Sequence, residues 1–301
     1  MAKLDLSLIA TPVFTFGAGV QWFEGYEAAR QHNRVIVGGV SPSGSVGAAG
    51  GWLSGGGHSA IAPNYGLGTP NLHNLTELYS HGSFTGVDNV LEIVIVTADG
   101  NHVVANSYNN KDLFWALRGG GGGTWGVVTS VTYKTHPSTP FSAAFLAANS
   151  TNANSTQNLL TEIIRLTPSL VDQGYGGYVR GTADQIGLIL ASPNVTAEQT
   201  RATFLPLFEF AVSQPGLTVD NATVLFQNFS AWYASIFSTD NRLVGAPTEL
   251  SSWLLPKDVV QTDKPEDLAT ELLKTSGFGY LWVFLTIREI DLNPDDSPIA
   301  S

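Results

Sequence analysis

Residues 44–68 read GSVGAAGGWLSGGGHSAIAPNYGLG, and nine of these twenty-five residues are glycine. An ordered glycine loses more backbone freedom than any other residue. A run of them therefore persists where the chain needs positive φ or must let another body come close. A flexible linker would be built of Gly and Ser, with little that packs. Here Trp52, Leu53, Ile61 and Tyr65 interrupt the glycines. That mixture points to a close-packed loop lying against a ligand or against another stretch of backbone.

The remaining chain can support such a loop. Its 301 residues are 43% hydrophobic and 13% charged, enough for one large domain or two ordinary ones. The net charge of −11 argues against a nucleic-acid partner, which would need basic patches. With no cysteine, disulfides, thiolate metal sites and cysteine nucleophiles are excluded together. No apolar run is long enough for a membrane-spanning helix. Asp5 interrupts the opening apolar residues, so they do not read as a signal peptide. Yet N-x-S/T sequons stand at Asn74, Asn149, Asn154, Asn194, Asn221 and Asn228, more than composition alone would place, and they hint at a secretory history.

Along the chain, residues 8–22 read as short strands broken by Pro12 and by Gly17, Ala18 and Gly19. Trp22, Tyr26 and Ala29 have helical spacing. RVIVGG enters the glycine-rich stretch as a strand. Two β-branched runs flank Asp99-Gly100, a strong hairpin signal. NNKDLFWALRGG has an Asn cap, a helical apolar face of Leu113, Phe114 and Leu117, and a glycine stop. VVTSVTYKTHP then reads as a strand ending at Pro137. Beyond about residue 140 glycine thins out. Amphipathic helices, one carrying Leu159, Leu160, Ile163, Ile164 and Leu166 and another opened by a Thr196/Gln199 capping box and expected to kink at Pro206, alternate with strands. The expectation is an α+β chain with a boundary near residue 140, giving units 1–140 and 141–301.

The chemistry-bearing motifs are few. GGGTWG, residues 121–126, has the letters of a dinucleotide fingerprint, but a helix precedes it and a strand follows, the reverse of what phosphate binding at a helix N-terminus needs. There is no P-loop, nucleophile elbow or paired-histidine metal motif. His32, His102 and His136 read as ordinary surface or loop histidines, and Trp22, Trp52, Trp115 and Trp125 as core. His58 and Ser59 differ, since they stand on a loop whose backbone can come close to a ligand and whose N–H groups can form an anion-binding concavity. A histidine satisfied by nearby carbonyls is the alternative.

Taken in order, GAGVQW, VGGVSPSGSVGAAGGWLSGGGHSAIAPNYGLG, VDNVLEIVIVTADGNHVVA and DLFWALRGGGGGTWGVVTSVTYKTHP resemble berberine-bridge-enzyme-like FAD-linked oxidoreductases of the vanillyl-alcohol-oxidase superfamily, in their fungal form. The likeness covers residues 17–137 closely and the rest loosely. It implies the second subdomain of a PCMH-type FAD-binding domain, followed by an α+β substrate domain of antiparallel sheet with helices. By position, Ser41, Ser45, Val46, Gly47, Gly50 and Gly51 would line FAD. Gly56, Gly57 and His58 would sit by the ribityl and flavin, and Ile95 and Val96 would offer main-chain contacts to the adenine. Gly39 matches a position whose small size is associated with oxygen access, which favours an oxidase. Ser41 stands where some members attach flavin through cysteine, so attachment here would be non-cysteinyl.

The likeness also has gaps. The R-x-G-G-H-type motif that supplies the attaching histidine is not in this chain, nor is the family's aromatic-rich C-terminal segment, so the chain reads as truncated at both ends. Residues 69–86, eighteen in all, are an insertion, either a retained intron read in frame or a surface loop. The implied function is oxidation of an alcohol, sugar or amine carbon by hydride transfer to flavin N5 with reoxidation by dioxygen. The alternative is an inactive fragment or truncated gene product, at most a binding module. A small-molecule substrate and a secretory location are implied. No catalytic base, metal site or oligomeric state can be assigned from the sequence.

Overall fold

Alternating β-branched residues build the first sheet. This computed structural model describes residues 12–40, 46–65, 86–237, 260, 264–274 and 280–284. β1 (Val13–Gly17), β2 (Arg34–Val35), β3 (Val90–Val96), β4 (His102–Asn106), β5 (Val127–Lys134) and β6 (His136–Pro137) are all antiparallel to their partners. They form a four-stranded sheet of order β1-β5-β3-β4 and a two-stranded ribbon, β2-β6. The hairpin expected at Asp99-Gly100 joins β3 to β4. Gly100 takes φ +81° and donates its N–H to the Thr97 carbonyl at 2.9 Å. RVIVGG contributes only its first two residues as strand.

Helix α1 (Trp22–Gln31) buries Trp22, Tyr26 and Ala29 at the expected spacing, and the Glu24 carboxylate accepts the Gln21 N–H at 2.9 Å. Two single turns, α2 (Gly51–Ser54) and α3 (Ala62–Tyr65), lie in the glycine-rich stretch, and a 3₁₀ turn spans Gly86–Asn89. In α4 (Lys111–Leu117) the expected Asn cap does not form. Asn110 has φ 50° and its side-chain amide instead donates to the Val104 carbonyl at 2.8 Å. Of the insertion at 69–86 only Gly86 falls within the described residues, and His73, His81 and Asn74 lie outside them.

The second sheet comprises β7 (Phe141–Ser150), β8 (Gly176–Gly181), β9 (Gln185–Pro193), β10 (Leu217–Phe226) and β11 (Tyr280–Phe284), in order β10-β7-β9-β8-β11 and antiparallel throughout. Helix α5 (Ala153–Asp172) buries Leu159, Leu160, Ile163 and Ile164 against it. Helix α6 (Ala197–Ser213) opens with the expected Thr196/Gln199 capping box and continues through Pro206. The architecture is α+β, as expected.

Helix α7 (Phe229–Phe237) crosses between the two halves, burying Phe229 and Trp232 in the same core as Trp22 and Tyr133. The Tyr26 ring meets Phe229 and Tyr233 edge-on at 5.0 and 4.9 Å. Helix α8 (Pro265–Lys274) lies on α5, where Gln157 donates to the Thr270 hydroxyl at 2.9 Å. No helix among the described residues is long and apolar enough to cross a membrane.

Candidate functional site

Trp52 organises the glycine-rich loop. Its indole Nε1 donates to the His58 carbonyl at 3.0 Å. Its ring meets Trp22 edge-on, with centroids 4.9 Å apart. Three glycines surround it: a Cβ would lie 2.1 Å from the ring at Gly86 and 2.8 Å at Gly57, where nothing larger fits, and 3.1 Å at Gly39, where the ring would have to give by a few tenths of an ångström. Gly86 is held in place by backbone, its N–H donating to the Gly57 carbonyl at 2.5 Å. Trp22 is fully buried, in agreement with the sequence expectation, and Trp52 is half-buried. Trp115 and Trp125 are exposed, against that expectation. Trp115 lies outside the buried face of α4, which is made by Phe114 and Leu117.

The second glycine run lies directly on the first. The Gly121 N–H donates to the Ser54 carbonyl at 2.9 Å. A Cβ on Gly122 would meet Gly51 Cα at 3.8 Å, and one on Gly119 would meet Gly56 Cα at 3.9 Å. Backbone against backbone, one of the two alternatives the sequence left open, is thus one reason for the glycines, and the partner run at Gly119, Gly121 and Gly122 was not read from the sequence. GGGTWG follows α4 and precedes β5, the context that had excluded a dinucleotide fingerprint.

A second group of glycines has no such reason. At Gly51 and Gly56 an added Cβ would meet nothing within 4 Å, and at Gly47 and Gly50 nothing nearer than 3.9 Å. Gly56 is required by its own φ of +100°, but the protein's packing does not require a bare backbone at Gly47, Gly50 and Gly51, so these three suit the approach of something outside the chain. Gly55 has φ −90° and Gly56 φ +100°, and their N–H groups close the α2 turn by donating to the Gly51 and Leu53 carbonyls at 3.0 and 2.9 Å. Two backbone bonds join the loop's base to α1: Trp22 N–H to the Val46 carbonyl at 3.1 Å and Ala48 N–H to the Val20 carbonyl at 2.8 Å. The bare backbone at Gly47, Gly50 and Gly51 leaves room for a cofactor to lie against the loop.

His58 and β8 form the other wall. Gly174 and Gly176 bring the second sheet onto the loop: a Cβ on Gly176 would lie 2.2 Å from the Ala60 carbonyl oxygen, and one on Gly174 would lie 2.5 Å from the Asn64 side-chain oxygen. The Asn64 amide donates to the Gly174 carbonyl. This close approach sets the Tyr178 ring edge-on to the His58 ring, with centroids 5.9 Å apart. The Tyr178 hydroxyl is buried with no hydrogen-bond partner among the described residues, and burial raises its pKa. His58 is exposed at its surface but closely surrounded, and desolvation lowers its pKa below the ordinary histidine value. Ser59 is buried behind it with an unpartnered hydroxyl. Nothing in the sequence pattern singled out Tyr178.

The other expected site residues are spread more widely. Gly39 accepts the Tyr26 hydroxyl on its carbonyl at 2.8 Å, beneath the two indoles. Ile95 is buried and Val96 half-buried at the end of β3, beside a register shift at Val94 and Ile95. Gly126 crosses the Val96 carbonyl so closely that a Cβ would lie 2.3 Å from it. Ser41 and Ser45 lie outside the described residues. His136, read as a surface or loop histidine, is instead buried in β6. Its Nε2 is 2.8 Å from Asn89 Oδ1 and its pKa is lowered to about 3. Among the described residues no cluster of His, Asp and Glu could hold a metal ion.

No family model matches the sequence. Among curated proteins, an uncharacterized FAD-linked oxidoreductase of Arthroderma benhamiae is 33% identical over 277 residues, covering 89% of this chain and 45% of that protein. The chain thus spans less than half the length of that curated relative. Among solved structures, a VAO-type flavoprotein of Myceliophthora thermophila superposes with a TM-score of 0.72 at 23% identity, over 94% of this chain and 54% of that one. A berberine bridge enzyme variant in complex with (S)-reticuline superposes at 0.56 and 21% identity, over 79% and 42%. The structural likenesses show the fold, which is that of VAO-type flavoproteins.

Proposed function

The chain belongs to the berberine-bridge-enzyme-like FAD-linked oxidoreductases, and from that premise we propose that it serves the flavin-dependent oxidation of an alcohol, sugar or amine carbon. The bare backbone at Gly47, Gly50 and Gly51 is the observation that carries this proposal. A bound FAD would supply the chemistry of hydride acceptance at N5 and of electron transfer to dioxygen.

The chain's own residues would bind and orient. Ser41, Ser45, Val46, Gly47, Gly50 and Gly51 would lie along the cofactor. Gly56, Gly57 and His58 would face its ribityl and flavin, with Ile95 and Val96 toward the adenine. His58, neutral at pH 7, can accept or donate a single proton at an imidazole nitrogen. Gly39 would leave room for oxygen. With no cysteine in the sequence, a thioether to flavin cannot form.

A second possibility is that these residues bind without turnover, since the chain spans 45% of a relative's length. The deciding experiment is the visible absorbance of the purified chain after incubation with FAD and gel filtration. Retained flavin bands support the oxidoreductase proposal, and a colourless protein opposes it.

We further propose a secretory location. Asn149, Asn154, Asn194 and Asn221 are exposed, whereas Asn228 is half-buried and its side-chain oxygen caps α7 by accepting the Ala231 N–H at 2.9 Å. Expression through a eukaryotic secretory pathway followed by endoglycosidase digestion should shift the mass through the first four sites and leave Asn228 unmodified.

A further inference from the structure

Among the described residues, the second sheet ends in a long unpaired edge. β10 stands first in the order β10-β7-β9-β8-β11 and pairs with β7 over all ten of its residues, without a register shift. The edge strands of the first sheet, β1 and β4, have five residues each. The Thr151 N–H donates to the Gly216 carbonyl at 2.9 Å, which makes 151 and 216 a hydrogen-bonded pair at the start of this ladder. In an antiparallel ladder such pairs alternate, so the even-numbered residues of β10 bond to β7. Val219, Asn221, Thr223 and Leu225 therefore turn their N–H and C=O groups outward.

Native edge strands are kept from pairing with other chains by short length, by Lys, by Pro or by a bulge. β10 has none of these. Its one charge is Asp220, in a chain of net charge −11. Val224 and Leu225 are exposed, and the other exposed large hydrophobics described after residue 140, Leu205 and Val212, lie on α6, which packs on β10.

What β10 does carry is a sequon at its middle, Asn221-Ala222-Thr223, with Asn221 exposed. Two more exposed sequon asparagines stand at the same margin. Asn149 lies on β7, and its neighbour on β10 is Thr218. Asn154 lies in the first turn of α5, where the adjacent Ser155 hydroxyl donates to the Pro215 carbonyl at 2.7 Å, just before β10 begins.

We propose that β10 pairs antiparallel with the β10 of a second copy of this chain, and that an N-glycan at Asn221 blocks this pairing. A two-fold axis perpendicular to the sheet, centred on Ala222, sets Asn221 opposite Thr223 and Val219 opposite Leu225 through their outward backbone groups. It also places Asp220 opposite Val224, so the two carboxylates do not meet. A glycan on Asn221 would stand in the middle of that seam. The glycan's role rests on the secretory proposal, and the pairing does not.

Because the chain has no cysteine, a single introduced one reports the seam. Ala222 would face its copy in a non-hydrogen-bonded pair, with Cα atoms about 4.5 Å apart and within reach of a disulfide. The full chain from a bacterial host, which adds no N-glycan, should sediment as a concentration-dependent dimer. Ala222→Cys should give a disulfide-linked dimer on mild oxidation. Ala183→Cys, exposed between β8 and β9, should not. Leu225→Lys should weaken association at least about tenfold by placing a charge in the seam, with an unchanged near-ultraviolet circular dichroism spectrum. A monomer at every concentration, equal cross-linking of the two cysteine variants, or wild-type association by Leu225→Lys would overturn the pairing.

The chain secreted from a eukaryotic host should be monomeric, with Asn221 occupied by mass spectrometry, and secreted Asn221→Gln should dimerise. A dimer with Asn221 occupied, a monomeric Asn221→Gln, or an unoccupied Asn221 overturns the glycan's role. Occupied sequons on a protein that never pairs sink only this inference. Sequons empty throughout sink the secretory proposal and the glycan's role together, while the bacterial chain still decides the pairing.

Discussion

The indole of Trp52 donates to the backbone oxygen of His58, six residues along the chain, at 3.0 Å. This bond closes the loop that carries His58 around a ring which Gly39, Gly57 and Gly86 leave room for. The tryptophan is therefore the template on which the loop is shaped. Replacing Trp52 with Phe removes the bond and part of the ring. It should cost about 1–2 kcal/mol in urea unfolding, with an unchanged m value. A midpoint equal to wild type would show that the loop holds its shape without the indole.

Gly51 and Gly57 are a contrasting pair. A Cβ on Gly51 meets nothing within 4 Å, whereas one on Gly57 would lie 2.8 Å from the Trp52 ring at a backbone φ of +71°. Gly51→Ala should leave the unliganded protein within about 0.5 kcal/mol of wild type, as an unhindered surface change does. Its FAD affinity should fall at least about tenfold, about 1.4 kcal/mol, if cofactor lies on that backbone. Gly57→Ala should destabilise the unliganded protein by about 1–3 kcal/mol through crowding alone. Flavin titration and chemical unfolding of both variants separate the two roles. Unchanged FAD affinity in Gly51→Ala would remove this glycine from the site.

Gly39 was expected to matter for oxygen access, but its surroundings supply a separate reason for its size. A Cβ there would sit 3.1 Å from atoms of both Trp22 and Trp52. Gly39→Ala should therefore shift the indole fluorescence and lower stability by about 1 kcal/mol in protein that has seen neither flavin nor oxygen. An unperturbed spectrum and midpoint, combined with slower flavin reoxidation, would restore oxygen access as the sole role.

The close seat of β8 predicts a larger effect. Gly176→Ala would press a methyl carbon to 2.2 Å from the Ala60 carbonyl oxygen, so strand or loop must move. The expected cost is about 2–3 kcal/mol. The Tyr178 hydroxyl should also become reachable by solvent, seen as a lower tyrosine pKa in ultraviolet titration. Wild-type behaviour in both measurements would mean that the two halves do not depend on this contact.

What could be read from the sequence was local. Asp99-Gly100 specified its hairpin because Gly100 supplies the positive φ the turn needs. Helices α1, α5 and α6 were readable from their apolar stripes, and α6 also from Thr196 and Gln199. β10 was not, since as an edge strand it leaves most of both faces in solvent and carries no strong alternation. The glycine-rich stretch announced a close approach but not to what. Its contacts with Gly119, Gly121 and Gly122 join segments far apart in the chain. Tyr178 meets His58 only because β8 is pressed onto residues 60–64, which is a property of the tertiary fold.

His136 was misread for the same reason, and its burial has a consequence for pH. Its partner Asn89 is 47 residues away, and the ring stacks on Tyr65 with centroids 4.5 Å apart. Burial first, and then the charges of Lys134 and Arg34, lower its pKa to about 3. In the unfolded chain the value is about 6.5. Above about pH 6.5 neither state holds the proton, and the stability is fully present. As the pH falls below that value the unfolded chain binds a proton that the folded protein refuses, so stability drops until about pH 3. The expected loss between pH 7 and 5 is about 2 kcal/mol, in a range where carboxylates such as Asp99, whose pKa is lowered, remain ionised. His58, also lowered, adds a residual slope of the same sign. His136→Gln can still offer an amide donor to Asn89 and cannot titrate. Urea midpoints at pH 7, 6 and 5 should therefore fall steeply for wild type and much less for the variant. Equal slopes would show that His136 can accept its proton in the folded state.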